Sequence, residues 1–342
     1  MIINNKKTIK FITYDGILEP IGDSQVLSYL KYISKDYSIK LLSYEKKNDL
    51  KNIKNLNTKK NYLKKLNVEW KILKYHDYLS FISTLHNIVN GYIDNSIDLI
   101  KKKINIFHIR GPLPGLLIIP FLYFCNIKFI FDMRGFWADE KVDRLGWAKN
   151  GFVYKFFKKI EKILLVKSNS VVCLTKDSKT ILINNYKIDK NKITTIPTCV
   201  DLDYYKFKKK KYQKNINFCH LGSLESAYNV EKVIIFFNSL LKINNKINIF
   251  FYTNQNPQKL NYLIKKYNIP EKNYTIENLD KRKLINRLQY IDIGIFCCNK
   301  NFSIKGSYPT KIGEFLACGI PIICNNFNKE VFDLIVKNKI GI

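Results

Sequence analysis

Ser307-Tyr-Pro-Thr-Lys-Ile-Gly-Glu-Phe-Leu-Ala-Cys-Gly-Ile-Pro-Ile-Ile-Cys324 reads as loop, short helix, turn and buried strand. Pro309 suits the opening of a helix, because its missing N–H costs nothing in the first turn. Gly319 followed by Pro321 marks a stop ahead of a β-branched run. Ile312, Phe315 and Leu316 fall on one side of that helix and should face a core, while Lys311 and Glu314 share a different side near its N-terminus. A polar pair there can hold an anion: first-turn N–H groups and the positive end of the dipole favour phosphate, and a carboxylate one turn in can accept bonds from sugar hydroxyls. The alternative is a solvated Lys/Glu ion pair on one of several α/β repeats.

Outward from this stretch, β-rich runs alternate with helical patterns along the whole chain, which implies parallel sheets. In the first half, strands are expected at 10–14, 39–43, 68–73, 104–109, 128–131, 170–174 and 192–196. Helices are expected at 24–35, 51–66, 83–102, 113–125 and 176–185, and another from Tyr154 to Lys167. The second half restarts the alternation, with strands at 216–221, 247–252, 274–276, 291–297 and 320–324 and helices at 230–242, 258–267, 281–289, 310–317 and 329–337. The fold class is therefore α/β, with two Rossmann-like doubly wound domains: 1–205, a basic linker over 206–214, and 215–342. Ligands of such sheets sit at the carboxyl ends of strands. In the first domain those loops carry Asp15, Gly16, Gly22 and Asp23 before a helix that Ser24 could cap, then His108 and Arg110, then Asp132, Arg134, Asp139 and Glu140. The glycines would let backbone approach a ligand, although their spacing is not G-x-G-x-x-G. Asp132 and Arg134 could pair with each other in a structural ion pair.

Length and composition bound the rest. At 342 residues with a hydrophobic fraction of 46%, the chain can bury two ordinary cores. The longest apolar run, Gly115 to Cys125, is too short to span a bilayer, and Phe11 to Tyr14 is too short for a signal peptide, so a cytoplasmic protein is expected. Eight cysteines form no C-x-x-C pair and read as reduced hydrophobes. His76, His86, His108 and His220 are scattered without ligand spacing, so no tightly bound metal and no cofactor are expected. The formal charge of +30 invites a nucleic-acid partner, but lysine is spread through every segment and no aromatic–basic module stands out. The segment from Tyr154 can instead form a helix with an apolar stripe (Phe156, Ile160, Ile163, Leu164) and lysines elsewhere, suited to an anionic membrane surface or to a core with a solvated basic face.

Five stretches in order, Tyr14–Val26 with Leu41–Glu45, Phe131–Glu140, Ile196–Asp203, His220–Leu224 and Ser307–Cys324, resemble family 4 glycosyltransferases of the GT-B architecture, in the clade that builds bacterial surface polysaccharides and lipid-linked glycans. The resemblance implies two domains facing across a cleft and a retaining, metal-independent hexosyltransferase, EC 2.4. Such an enzyme moves a sugar from a nucleotide diphosphate donor to a glycan or lipid-linked acceptor at the inner face of the cell membrane. It places the donor at Gly222, Ser223, Lys305, Pro309, Thr310, Lys311 and Glu314, with Glu314 on the ribose. It makes Asp132 and Arg134 catalytic, with Asp132 where many relatives carry histidine, and sets Asp15, Gly16, Gly22, His108 and Arg110 toward the acceptor. Asp201-Leu-Asp203 matches a metal-holding D-x-D but falls in the segment that closes the first domain, so Asp201 is expected in a turn. The first member of the family's acidic pair falls on Gly306, so backbone N–H groups of Lys305 to Ser307 would replace its contacts. Relatives continue past the point matching Ile342, which implies either a truncated sequence or a second sheet with an exposed edge and weaker domain coupling. A sugar-nucleotide epimerase of the same architecture, or a non-catalytic basic binding protein, are the competing readings.

Overall fold

The computed structural model describes residues 6–75, 80–101, 103–209, 214–225 and 227–342. His76, Lys102 and positions 210–213 of the basic run lie outside them. The chain divides into two compact units, one holding the chain through Val142 together with Trp147–Pro197, the other Asp143–Gly146 with Thr198–Ile342. The division falls at Pro197/Thr198, ahead of the boundary expected after 205. Val200 and Tyr205 explain the shift, because both pack into a core of the second unit.

All twelve expected strands form. The first unit holds β1 (Thr8–Thr13), β2 (Ser38–Lys46), β3 (Val68–Tyr75), β4 (Ile106–Arg110), β5 (Phe129–Asp132), β6 (Ser170–Cys173) and β7 (Ile193–Thr195). They make one parallel sheet in the order β3-β2-β1-β4-β5-β6-β7. Continuous apolar runs such as Phe129-Ile-Phe131 fit a sheet covered on both faces. The strand order reverses between β1 and β4, and the loops after these two strands diverge there.

The second unit holds β8 (Ile216–Leu221), β9 (Ile247–Tyr252), β10 (Tyr274–Glu277), β11 (Ile293–Phe296) and β12 (Ile322–Cys324). Its order is β10-β9-β8-β11-β12, again parallel, with its switch point between β8 and β11. Beyond β12, Gly341 bridges Ile322, and Ile342 exchanges backbone hydrogen bonds with Ile322 and Cys324.

Helices depart from expectation in three places. Residues 113–125 make two short turns, Pro112–Gly115 and Phe121–Phe124, because Pro114 and Pro120 lack the N–H that a continuous helix needs. Trp137–Leu145 is a helix that carries Asp139 and Glu140, expected from the sequence to be loop residues. Acidic residues in its first turn and Arg144 in its last complement its dipole. The helix near Tyr14 begins at Pro20 and not at Ser24, since Pro20 takes the first-turn position and Ser24 Oγ instead donates to the Ile21 carbonyl.

One buried charge was invisible in the strand pattern. Lys10 on β1 is withdrawn from water, with Nζ 2.7 Å from Asp94 and 2.6 Å from Asp98. Lys40 adds a fourth charge to the network at 2.7 Å from Asp98.

Candidate functional site

In the first unit, the loop after β1 is built around Glu45 at the end of β2, which is fully buried. Its carboxylate accepts from the N–H groups of Ile17 (2.8 Å) and Leu18 (3.1 Å) and from Ser43 Oγ (2.6 Å). Burial pushes its pKa up against the lowering effect of those bonds. The loop glycines serve this packing. A Cβ on Gly16 would stand 2.6 Å from Glu45 Oε2, and one on Gly22 only 2.1 Å from the Gly16 carbonyl oxygen. Both glycines therefore make room for the protein's own atoms.

Three further loops bring charge to the ends of β1, β4 and β5. Asp132, 7% exposed, closes β5. Its Oδ2 lies 3.6 Å from His108 Nε2 and 3.7 Å from Arg110 Nη1, and its Oδ1 4.0 Å from Arg134 Nε. The pairing of Asp132 with Arg134 is thus one member of a three-way arrangement. Burial would raise the Asp132 pKa, but His108, Arg134 and Arg110 outweigh it and hold the carboxyl below its ordinary value. His108 stacks on Phe11 with ring centroids 4.4 Å apart, and neither its Nε2 nor Asp132 Oδ1 has a hydrogen-bond partner. Arg134 sits in the left-handed region at φ 54°, a conformation that costs a non-glycine residue about 1–3 kcal/mol.

Both guanidiniums converge on one oxygen. Arg110 Nη2 donates to Gln25 Oε1 at 2.7 Å and Arg134 Nη2 donates to the same atom at 2.8 Å. Arg110 Nε also reaches Asp15, a half-exposed carboxylate, at 3.4 Å. Gln25 lies in a π-helical segment, Asp23–Leu27, and no spacing rule in the sequence singles it out. Asp139 points elsewhere, held by Tyr154 Oη at 2.8 Å and Lys158 Nζ at 2.9 Å.

In the second unit the helix Thr310–Ala317 forms at its expected bounds, with Pro309 preceding it and supplying no side-chain cap. Lys311 is withdrawn from water, whereas Glu314 is half-buried. Lys311 is 5% exposed, its Nζ has no hydrogen-bond partner, and it lies 3.6 Å from the centroid of the Tyr228 ring and 5.4 Å from that of Phe296. Burial lowers its pKa from 10.5 to about 8, against weaker raising effects of Cys298, Glu314 and Cys219. The Glu314 carboxylate accepts from Tyr205 Oη at 2.9 Å, and burial raises its pKa. Tyr205 went unnoticed because it stands 109 positions from its partner.

Gly222 follows β8 at φ 91° with open space where a Cβ would go. The next residues are tied down: Ser223 Oγ is 3.2 Å and the Leu224 N–H nitrogen 2.7 Å from Gln255 Oε1. His220 lies buried between the carbonyls of Ile295 (3.2 Å) and Ser223 (3.0 Å), and burial together with Lys311 lowers its pKa to about 3. Lys305 is exposed on the 3₁₀ turn Ser303–Gly306, its Nζ 5.8 Å from the Phe302 ring centroid. The N–H groups of Lys305 and Ser307 already donate to Phe302 and Ile304, which corrects the expectation that they are available to a sugar. Asp201 forms the expected turn, Oδ1 accepting from the Asp203 N–H at 2.9 Å. Among the described residues, no three His, Cys, Asp or Glu side chains group as a metal ion would need, and no helix is long and apolar enough to cross a membrane.

Two family models match, and together they run from 69 to 342: Glycosyltransferase Family 4 over residues 69–204 and Glycosyl transferases group 1 over 203–342. No curated protein matches the chain. Among solved structures, the chain is similar to sucrose-phosphate synthase from Thermosynechococcus elongatus, with TM-score 0.73, 11% identity, and coverage of 98% of this chain and 85% of that one. It is similar to a glycosyltransferase from Rickettsia africae (TM-score 0.63, 19% identity, 95% and 80% covered). It is also similar to HepE from Anabaena, solved with UDP and glucose (TM-score 0.64, 9% identity, 95% and 82% covered).

Proposed function

Since this chain belongs to the family 4 glycosyltransferases, enzymes built of two Rossmann-like domains, we propose that it moves a sugar from a nucleotide diphosphate donor to a hydroxyl of a glycan or lipid-linked glycan. We take the reaction to retain anomeric configuration and to need no tightly bound metal. The observation that carries the reading is the unpartnered Lys311 ammonium beside a carboxylate at the start of an uncapped helix. A buried cation without a hydrogen bond is costly, and the Tyr228 face offsets only part of that cost. A diphosphate would supply the missing partner, joined by the first-turn N–H groups after Pro309 and the open backbone at Gly222. Glu314, oriented by Tyr205, takes the ribose hydroxyls; Thr310, Ser223 and Lys305 line the same loops.

On this reading Arg134 neutralises charge developing on the leaving diphosphate, and Asp132 bonds a hydroxyl of the transferred sugar or keeps Arg134 oriented. Asp15, His108 and Arg110 lie with them at the strand ends and serve the acceptor side. Positioning and charge neutralisation supply most of the barrier reduction.

Glu314→Ala should weaken UDP or GDP binding about tenfold or more, the loss expected for hydrogen bonds to a charged group of about 1.5–3 kcal/mol. Calorimetry on the full chain checks it, and unchanged affinity would remove the donor assignment. Incubating donor sugar alone separates the epimerase alternative, which would convert donor without acceptor.

The membrane contact has its own support. At the N-terminal end of helix Phe152–Lys167, Phe152 (83% exposed), Val153 and Phe156 face solvent beside Lys155 and Lys159, while Ile160, Leu164 and Leu165 are buried. Aromatic groups amid lysines suit an anionic lipid surface. Phe152→Asp with Phe156→Asp should lower co-sedimentation with phosphatidylglycerol vesicles severalfold, and equal binding by the variant would refute the contact.

A further inference from the structure

We infer that Arg110, Arg134 and Gln25 form a phosphoryl-binding site in the first unit, in which the Gln25 amide oxygen stands where a phosphate oxygen of a substrate binds. The donor half of the proposed function is its premise only for deciding which substrate brings the phosphate.

Two guanidiniums aimed at one oxygen, at 2.7 and 2.8 Å, make a geometry suited to phosphate. An amide oxygen carries only partial charge and underuses it. Arg110 is 6% exposed, so its charge is withdrawn from water. Its polar neighbours compensate imperfectly: Asp132 stands 3.7 Å away, beyond hydrogen-bond reach, and Asp15 at 3.4 Å is mostly in water. The unpartnered His108 Nε2 and Asp132 Oδ1 lie in the same cluster.

The backbone brings Gln25 there by two irregular features. The π segment Asp23–Leu27 adds a residue to its turn, which rotates the succeeding residues by about 100° relative to a regular α-helix, and such turns recur at functional sites. Arg134 is held at positive φ. Gln25 is half-buried on a helix face, next to the buried Val26 and Leu27. A phosphate entering would exchange one neutral acceptor for a charged one with several oxygens, enough to engage both arginines.

The test uses Gln25→Glu, which fills the position with a permanent anion, and Gln25→Ala, which empties it, in the full chain. Calorimetric probes are octyl phosphate and UDP; melting temperatures report folding. Wild type should bind octyl phosphate, Gln25→Glu should lose at least tenfold in affinity while melting no lower, and Gln25→Ala should bind more tightly. If UDP affinity is unchanged in Gln25→Glu, the phosphate belongs to the acceptor; if UDP also weakens, it is the donor's diphosphate. If neither ligand responds to either variant the site is refuted, and the donor reading still stands provided UDP binds wild type and not Glu314→Ala. If octyl phosphate binding follows Gln25 but UDP never binds, the site stands and the donor reading falls.

Discussion

Asp132→Ala is expected to lower the free energy of unfolding by about 3–5 kcal/mol, the cost of leaving buried cations without their counter-charge. The carboxylate lies 3.7 Å from the buried Arg110, whose other acid, Asp15 at 3.4 Å, is half-exposed, and Arg134 lies 4.0 Å off its other oxygen. Removing it strands charge in a place where water cannot follow. Asp132→Asn should cost less, because it preserves volume and one acceptor. The pH dependence carries the same sign. A carboxyl held below its ordinary value contributes stability above about pH 4, where the unfolded group is ionised, and loses it as pH falls through the folded value. Urea unfolding at pH 7 and pH 3 should therefore separate wild type from Asp132→Asn at the higher pH and narrow the gap at the lower. A loss under 1 kcal/mol at neutral pH for the alanine variant would mean that the arginines are balanced from elsewhere.

Lys311 has the opposite profile. Its folded pKa of about 8 lies below the ordinary 10.5, so the unfolded chain binds the proton more tightly between those values. Stability should then rise with pH across that window, by about 2 kcal/mol between pH 8 and 9.5 from this group. Below pH 8 the whole cost of burying the ammonium is present. Lys311→Met, which keeps the stem packed against Tyr228, should remove the rise and be more stable than wild type at pH 7. The comparison belongs below pH 10, because Tyr44 and Tyr228 also have raised pKa values and their unfolded-state ionisation would pull stability down there. A flat difference between wild type and Lys311→Met from pH 7 to 9.5 would show that the ammonium is solvated. On the proposed function, the same substitution that stabilises the fold weakens nucleotide diphosphate binding, a stability–function conflict that fits a group kept for its ligand.

Much of the fold was legible because its determinants are local. Twelve β-branched and aromatic runs became twelve strands, and Thr310–Ala317 has the bounds set by Pro309 and Gly319. Where local signals conflict, as in the apolar run broken by Pro114 and Pro120, the missing donors decide against the helix. The candidate positions were legible in part, since ligands of parallel sheets collect at strand ends and the charged residues in those loops can be read directly.

What each of those residues does was decided by partners far away in the chain. Gly16 and Gly22 read as letting backbone approach a ligand, and the fold sets the buried Glu45 and the Gly16 carbonyl against them. Lys311 and Glu314 read either as an anion-holding pair or as a solvated ion pair until Tyr228 stood over the lysine and Tyr205 bonded the carboxylate. Gln25 carries no charge and no motif, yet it joins two arginines 85 and 109 positions away. The sequence alone determined the α/β architecture, its strands and the family, because backbone geometry and hydrophobic period act over a few residues. Burial and charge balance depend on which side chains meet across the fold, so only the tertiary structure decided which polar groups are solvated, which are paired, and which still lack a partner.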